Sequence, residues 1–429
     1  MSDAILTRRR WLAPPDLPLV LVLAAAPAAV VLQHRALAPV ALGGLLGCVL
    51  LHAAHRGGRQ GAWPVPRDAA SVLAILLFAW AAVTAFWSPS PAGGVFEAAR
   101  LAGFALLGGG AATAAAALPE AGRRRVGTAL LASVALGLAL GVADMLTGHA
   151  IRGAVRGMRA PPVEIVFGLK PSGSVLALLL PLAVVVPGLP GIARVALAVI
   201  GAAGVIALPG DSAKIAAVLG LLVTGAAWWL PGRWLARAIG MGLAAVMLAA
   251  PLVFAAVLDS RVIPAERIAV SAAHRLIIWD YALRRIADRP VLGWGMDSSR
   301  AIPGGQDRPD AAALTRIGLV PGSERSALFA PDGRFNVMPL HPHNAFLQVW
   351  LELGAVGAVL AAGLLSALGF AAGRLPPAVR AGACGAMTSA AVSGLLSYGV
   401  WQPWWIGGLL LAIAAAAGIK AREERAVAG

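Results

Sequence analysis

Apolar windows about 20 residues long recur along almost the whole of this chain, and that pattern leaves few folds open to it. They lie near 17–34, 36–54, 69–87, 96–118, 126–146, 172–188, 190–208, 213–230, 234–258, 344–370, 377–398 and 402–419. In hydrocarbon each backbone N–H and C=O must be satisfied within the segment, so such windows become helices. Apolar residues make up 59% of the chain and charged residues 13%, too little charge to coat a soluble fold of 429 residues. The expected fold is an all-α polytopic membrane protein of about twelve transmembrane helices. One long polar stretch divides it into an N-terminal bundle, 1–258 with about nine spans, a loop, 259–340, and the C-terminal helices, 341–429 with about three. The run Arg8-Arg9-Arg10 before the first window has the look of a signal peptide, but the many later windows favour a retained first helix.

A net charge of +15 suggests nucleic acid until the charges are placed. Arg8, Arg9, Arg10, Arg56, Arg59, Arg67, Arg123, Arg124, Arg125, Arg194, Arg233, Arg237, Arg374, Arg380, Lys420, Arg422 and Arg425 all fall on alternate short connections or at the termini. That is the positive-inside pattern, with both termini cytoplasmic, and it needs no nucleic-acid partner. Two segments on the opposite side break the rule. Arg152, Arg156 and Arg159 occupy 147–163 with no acid until Glu164, and 259–340 carries 11 arginines against nine acids. Positive charge there points to an anionic ligand. Cys48 and Cys384 fall inside expected spans, so neither a disulfide framework nor a cysteine metal site follows.

Four segments on that outer side carry candidate chemistry. His341-Pro-His343-Asn344 stands where the loop returns to apolar sequence, and a histidine there exchanges protons near neutral pH. His343 is the better base candidate; Asn344 is placed to orient its ring or to bond a sugar, and His341 is expected to face the loop. Glu352, further along the same apolar helix, must be paired or protonated if buried. Leu276, Trp279, Leu283 and Ile286 recur at helical spacing, so 274–289 reads as an amphipathic helix on the membrane surface, with Asp280 and Arg284 paired on its exposed side. Arg275 at its start is placed to grip a phosphate bidentately. Pro209-Gly-Asp-Ser-Ala-Lys214 opens an apolar helix with Asp211 or Ser212 as N-cap and Lys214 in the first turn. Tyr398-Gly-Val-Trp-Gln-Pro-Trp-Trp405 reads as an interfacial aromatic belt, with a sugar-stacking role open. Asp297, Asp307 and Asp310 lack metal-site spacing.

Three of these features in this order resemble the O-antigen ligase and polymerase superfamily of bacterial membrane glycosyltransferases. They are Arg275, Trp279 and Pro290-Val-Leu-Gly-Trp-Gly295, the long loop after them, and His343-Asn344 with Leu347 and Leu353-Gly354. The likeness covers mainly 205–360. It implies a GT-C-like enzyme of the inner membrane, whose long loop is periplasmic and carries the amphipathic helix. It implies a glycan taken from undecaprenyl diphosphate at the periplasmic face, inverting, with no metal or other cofactor. Arg275 and His343 are implied to be essential, and Lys214 stands where the superfamily usually has an arginine. On this reading His343 is the general base, Arg275, Lys214 and Arg159 bind diphosphate, and Asn344 and His341 complete the substrate site. The acceptor is lipid A–core for a ligase, or another lipid-linked repeat for a polymerase; membrane lipids are the other partners. An anion transporter is the rival of a different class. It would interrupt paired helices near the midplane and place its charges there.

Overall fold

The structure, a computed structural model, describes residues 12–56, 68–160, 162–329 and 335–419. Arg8, Arg9, Arg10, Arg59, Arg67, Lys420, Arg422 and Arg425 lie outside the described residues, and so do both termini. Among the described residues all regular structure is helical. The N-terminal part runs α1 (Leu17–Leu32), α2 (Leu37–Arg56), α3 (Ala69–Thr84), α4 (Pro91–Ala116), α5 (Glu120–Leu146), the short α6 (Ala150–Val155), α7 (Lys170–Ala183), α8 (Gly191–Ala207), α9 (Asp211–Trp229) and α10 (Gly232–Ser260). The loop holds α11 (Val270–Asp288), α12 (Ala311–Arg316) and α13 (Glu324–Ala327), and α14 (Ala345–Gly373), α15 (Pro377–Leu396) and α16 (Pro403–Gly418) follow.

A helix occupies every expected window, but only 8 among the described residues are long and apolar enough to cross a membrane. Three of the others, α1, α8 and α16, are apolar but have 16, 17 and 16 residues, whereas α3 and α7 are lengthened to 19 and 21 residues by the 3-10 turns Ala85–Trp87 and Val163–Leu169. At 1.5 Å per residue those three fall short of a hydrocarbon core about 30 Å thick. The fourth, α15, is long enough, but its glycines, serines and threonine dilute its hydropathy. Those small residues have a packing reason. A side chain on Gly385 would collide with the carbonyl of Gly220 and the hydroxyl of Thr224, both on α9. The two backbones therefore touch, as small residues permit between membrane helices.

Two apolar cores result. One gathers α1, α2, α5, α7 and α16 around residues such as Leu23, Leu45, Leu130, Leu176 and Trp404. The other gathers α3, α10, α11 and α14 around Leu77, Met247, Ile277, Trp279 and Leu347. Helix α7 is buried on all sides from Pro171 to Ala183, as expected of a helix without a polar face.

The loop helix departs from expectation. Every residue of α11 from Leu276 to Leu283 is buried, because the rest of the loop folds back over the side turned away from α10 and α14. Asp280 and Arg284 do pair, at 2.7 Å, but Asp280 is 1% exposed and also accepts from Arg316 at 2.8 Å. A carboxylate removed from water needs such partners.

Helix α14 is broken at Gly354, where φ is 66° and ψ −165°. The turn after α11 fills the break. Trp294 N–H donates to Leu351 O at 2.9 Å, Gly295 N–H to Glu352 O at 2.8 Å, and Ala355 N–H to Pro290 O at 2.9 Å. Trp80 of α3 donates its indole N–H to Leu353 O at 2.9 Å. The carbonyls freed by the break are thus satisfied by the loop and by α3. A side chain on Gly354 would overlap the carbonyl of Val291, so this position requires glycine for both its dihedrals and its space.

Candidate functional site

The site forms where the starts of α7, α9 and α14 meet the start of α11 and the turn between α15 and α16. Asn344 begins α14 as its N-cap, its side-chain oxygen accepting from Phe346 N–H and Leu347 N–H, both at 3.0 Å. Its amide nitrogen is buried without a partner. The residue before it, His343, has φ 53°, the left-handed region in which histidine is enriched. Pro342 is pinned to α11 by Trp279, whose indole N–H donates to Pro342 O at 3.0 Å.

His343 Nδ1 lies 2.5 Å from the carbonyl oxygen of Ser397, at the end of α15. A carbonyl only accepts, so Nδ1 carries the proton and Nε2 keeps a free lone pair. Burial, with the positive charges of Arg275 and Lys170 nearby, holds the imidazole down to about 4, against the smaller upward pull of the Ser397 bond. His341 does not face the loop. Its ring packs 4.2 Å from that of His343, its Nδ1 accepts from His343 N–H at 3.2 Å, and burial pushes it down to about 3. Both rings are neutral at physiological pH.

Arg275 is mostly enclosed, and burial lowers its affinity for its proton. Among the described residues it has no hydrogen bond or ion pair, and the carboxylate whose charge reaches it, Asp211, is itself paired with Lys214. A guanidinium stays charged at any physiological pH, so one enclosed without a carboxylate is short of an anion. Its neighbour His274 fixes the local chain by donating to Asn336 O at 2.8 Å between the rings of Phe329 and Phe335.

Lys170 completes the cationic side, and the sequence reading missed it. It opens α7 with its ammonium 4.5 Å above the Phe167 ring, close enough to Arg275, Asp211 and His343 for their charges to interact. It begins an apolar helix at the same end of the bundle as Lys214 does, so a cation in that position was the available signal. Lys214 pairs with Asp211 at 3.3 Å, which leaves Asp211 shared among Lys214, Lys170 and Arg275. Gly210, not Asp211 or Ser212, is the N-cap of α9, and the Ser212 hydroxyl meets that of Ser397. Arg159 is exposed and unpaired among the described residues, and nothing joins it to this group.

The rest of its triplet is structural. Arg152 is fully buried and donates Nε to Asp144 Oδ2 at 2.6 Å and Nη1 to Ile165 O at 2.6 Å. Arg156 donates to Leu32 O at 3.0 Å. The triplet looked unopposed only because Asp144 sits in the last turn of α5, inside an expected span.

The aromatic turn is not an interfacial belt. Trp401, Trp404 and Trp405 are 6%, 5% and 3% exposed, and Tyr398 packs edge-on to Trp404. Burial pushes the Tyr398 phenol up to about 12, and it accepts from the Ser174 hydroxyl at 3.3 Å. Glu352 is fully buried and paired. It accepts from Asp297 N–H at 2.8 Å, Gln348 Nε2 at 3.0 Å, Trp401 Nε1 at 2.9 Å and the Ser299 hydroxyl. Among the described residues no three of His, Cys, Asp and Glu converge as a metal site.

Residues 196–362 match the family described as O-Antigen ligase, a span that holds Lys214, Arg275, His341, His343, Asn344 and Glu352 but not Lys170 or Tyr398. The chain is 32% identical over 137 residues to a protein of Rickettsia conorii named "Putative polysaccharide ligase". It is 34% identical over 137 residues to one so named in Rickettsia prowazekii, and 31% over 138 in Rickettsia felis. Each match covers 32% of this chain and 29% of the relative, so the chain spans under a third of the length of the curated relatives it matches.

Proposed function

We propose, from the premise that residues 196–362 form an O-antigen ligase domain, that this protein joins a glycan carried on undecaprenyl diphosphate to a sugar of lipid A–core, at the periplasmic face of the inner membrane. The observation that carries this reading is an enclosed Arg275 with no anion, beside a histidine whose tautomer is fixed with Nε2 free. The acceptor hydroxyl gives its proton to His343 Nε2 as its oxygen attacks the anomeric carbon. The bond from that carbon to the diphosphate oxygen breaks, and undecaprenyl diphosphate leaves with the electron pair. Attack from the face opposite the leaving group inverts the anomeric centre.

Arg275 and Lys170 meet the negative charge that grows on the leaving group, with Lys214 contributing once Asp211 is shared. They do the work that a divalent cation does in many transferases. Their charge also tunes the base. Burial holds His343 low in the free protein and the charge of Arg275 and Lys170 adds to it; a bound diphosphate offsets that added part, raising the imidazole toward its ordinary value when a proton must be accepted. Asn344 is first the cap that starts α14, and its unpaired amide nitrogen is the donor it has left for a substrate.

The names of the relatives favour a ligase over a polymerase. The break in α14 does not support the transporter reading, because the 290–295 turn fills it. Lipopolysaccharide from a strain lacking the protein is the test. Bare lipid A–core with polymerised glycan left on undecaprenyl diphosphate is expected. Core capped with a single repeat would assign a polymerase instead. Transfer by the purified protein should persist under chelation, and its collapse with rescue by magnesium or manganese would overturn the arginine–lysine mechanism.

A further inference from the structure

Asn344, Gln348 and Glu352 stand four residues apart, so they share one face of α14. All three are buried, at 0%, 4% and 0% exposure. Polar groups in such a stripe are costly unless bonded, and the last two bond each other and reach beyond the helix. Gln348 donates Nε2 to Glu352 at 3.0 Å and accepts at Oε1 from Val400 N–H at 2.9 Å. Glu352 takes the indole N–H of Trp401 at 2.9 Å. Both therefore hold the 397–402 turn, and that turn presents the Ser397 carbonyl to His343 Nδ1 at 2.5 Å. The other two donors to Glu352, Asp297 N–H and the Ser299 hydroxyl, come from the loop segment after the Gly293-Trp-Gly295 turn. One carboxylate thus ties three chain segments together two turns below the helix start. Four donors suit a carboxylate, which offers about four lone-pair sites and no proton. A glutamine there offers one acceptor oxygen and adds two N–H groups facing donors.

We propose that Glu352, acting through Gln348 and Trp401, is a positioning residue that sets the tautomer and orientation of His343. It touches no substrate. It fixes the turn whose carbonyl takes the Nδ1 proton, and so keeps Nε2 free. The kinetic part of this proposal rests on the reading of His343 as general base; the tautomer part does not.

The test uses the full chain with ¹⁵N-labelled imidazoles, His343 being assigned by the loss of its signals in His343→Gln. The wild type should show a single tautomer, protonated at Nδ1. Glu352→Gln should show both tautomers in exchange. In transfer assays it should lower kcat by at least about tenfold while KM for the lipid donor stays within about twofold. The acid limb of its kcat/KM profile should move up from about 4 toward the ordinary histidine value of 6.5, as the loosened turn admits water. Should Glu352→Gln fail to fold, Gln348→Met supplies the same test, because it removes the acceptor of Val400 N–H and leaves Glu352 three donors. Trp80→Phe is the control. It deletes a bond to the same helix break, at Leu353 O, without reaching the turn, and should change neither tautomer nor profile. A folded Glu352→Gln or Gln348→Met protein with one unchanged tautomer overturns the proposal, and so does an equal effect from Trp80→Phe. A wild type with one Nδ1–H tautomer but no glycan transfer would overturn the general-base reading alone.

Discussion

Arg152 and Arg275 lie on the same side of the bundle and look alike in the sequence, each an arginine in an outer connection. Their surroundings are opposite. Arg152 is sealed off from solvent with a carboxylate on its Nε and a carbonyl on its Nη1, and its backbone N–H donates to the same Asp144 at 2.9 Å. Arg275 is mostly enclosed and has no such partner. The first arrangement is complete without a ligand and serves to lock α5, α6 and the 163–169 turn before α7 together. The second is complete only with an anion. Counting cations on a face treats the two as equal, whereas counting their partners separates a cross-link from a binding site.

The sharpest way to break this comparison is to exchange the expected outcomes. Asp144→Ala leaves Arg152 buried without its counter-charge, so it should cost about 3–5 kcal/mol of stability. Thermal unfolding in detergent should show the loss, and the protein that remains folded should transfer at the normal rate. If activity fell with stability unchanged, Arg152 would belong to the site.

Arg275→Ala should do the reverse. Loss of a donor aimed at developing charge costs roughly 10²–10³ in kcat. Stability should hold or rise, because an unpaired buried charge is removed. Arg275→Lys keeps the charge but loses the two-pronged grip, and a fall of at least about tenfold in kcat would assign part of the effect to geometry. Equal activity in the two variants would leave no part for charge.

A smaller effect should appear with pH. Unfolded histidines titrate at 6.5, whereas folded His341 and His343 are held down to about 3 and about 4. As pH falls below 6.5 the unfolded chain binds protons that the folded one does not, so stability should drop between pH 6.5 and 4. Replacing both histidines with glutamine should flatten the unfolding temperature across that window. Smallest of all, Arg159→Gln should change stability by no more than about 0.5 kcal/mol and leave transfer untouched. A clear loss of transfer would bring Arg159 into the site.

What the sequence made legible follows from which forces are local. Helix windows are set by hydropathy over about 20 residues, and each window holds a helix. His343 and Arg275 were legible because loop-to-helix boundaries show in the pattern. Partners were not. Asp144 was hidden within an apolar window, and Lys170 was passed over as one charge at the start of another. The burial of α11 depended on a loop folding over it, which no periodicity in α11 records: Asp280 and Arg284 have the spacing of a solvated pair whether water or α12 lies above them. The tryptophans of the 398–405 turn likewise have a belt's composition, and only tertiary packing puts them inside, Trp404 and Trp405 in the core of α1, α2, α5 and α7 and Trp401 against Phe78 and Glu352.

The break at Gly354 has a consequence for the order in which the molecule is assembled. The carbonyls of Leu351, Glu352 and Leu353 find their donors in the 290–295 turn and in Trp80, all made earlier in the chain than α14 itself. Helix α14 cannot reach its final shape by entering the bilayer alone, since in lipid those carbonyls would have nothing to accept from. The loop must already be in place when α14 packs, and the two lock as one cooperative event. Removing or lengthening the loop would therefore strand a half-built helix in the membrane, so cellular quality control should read the fault as a C-terminal insertion defect although the lesion lies outside the bilayer.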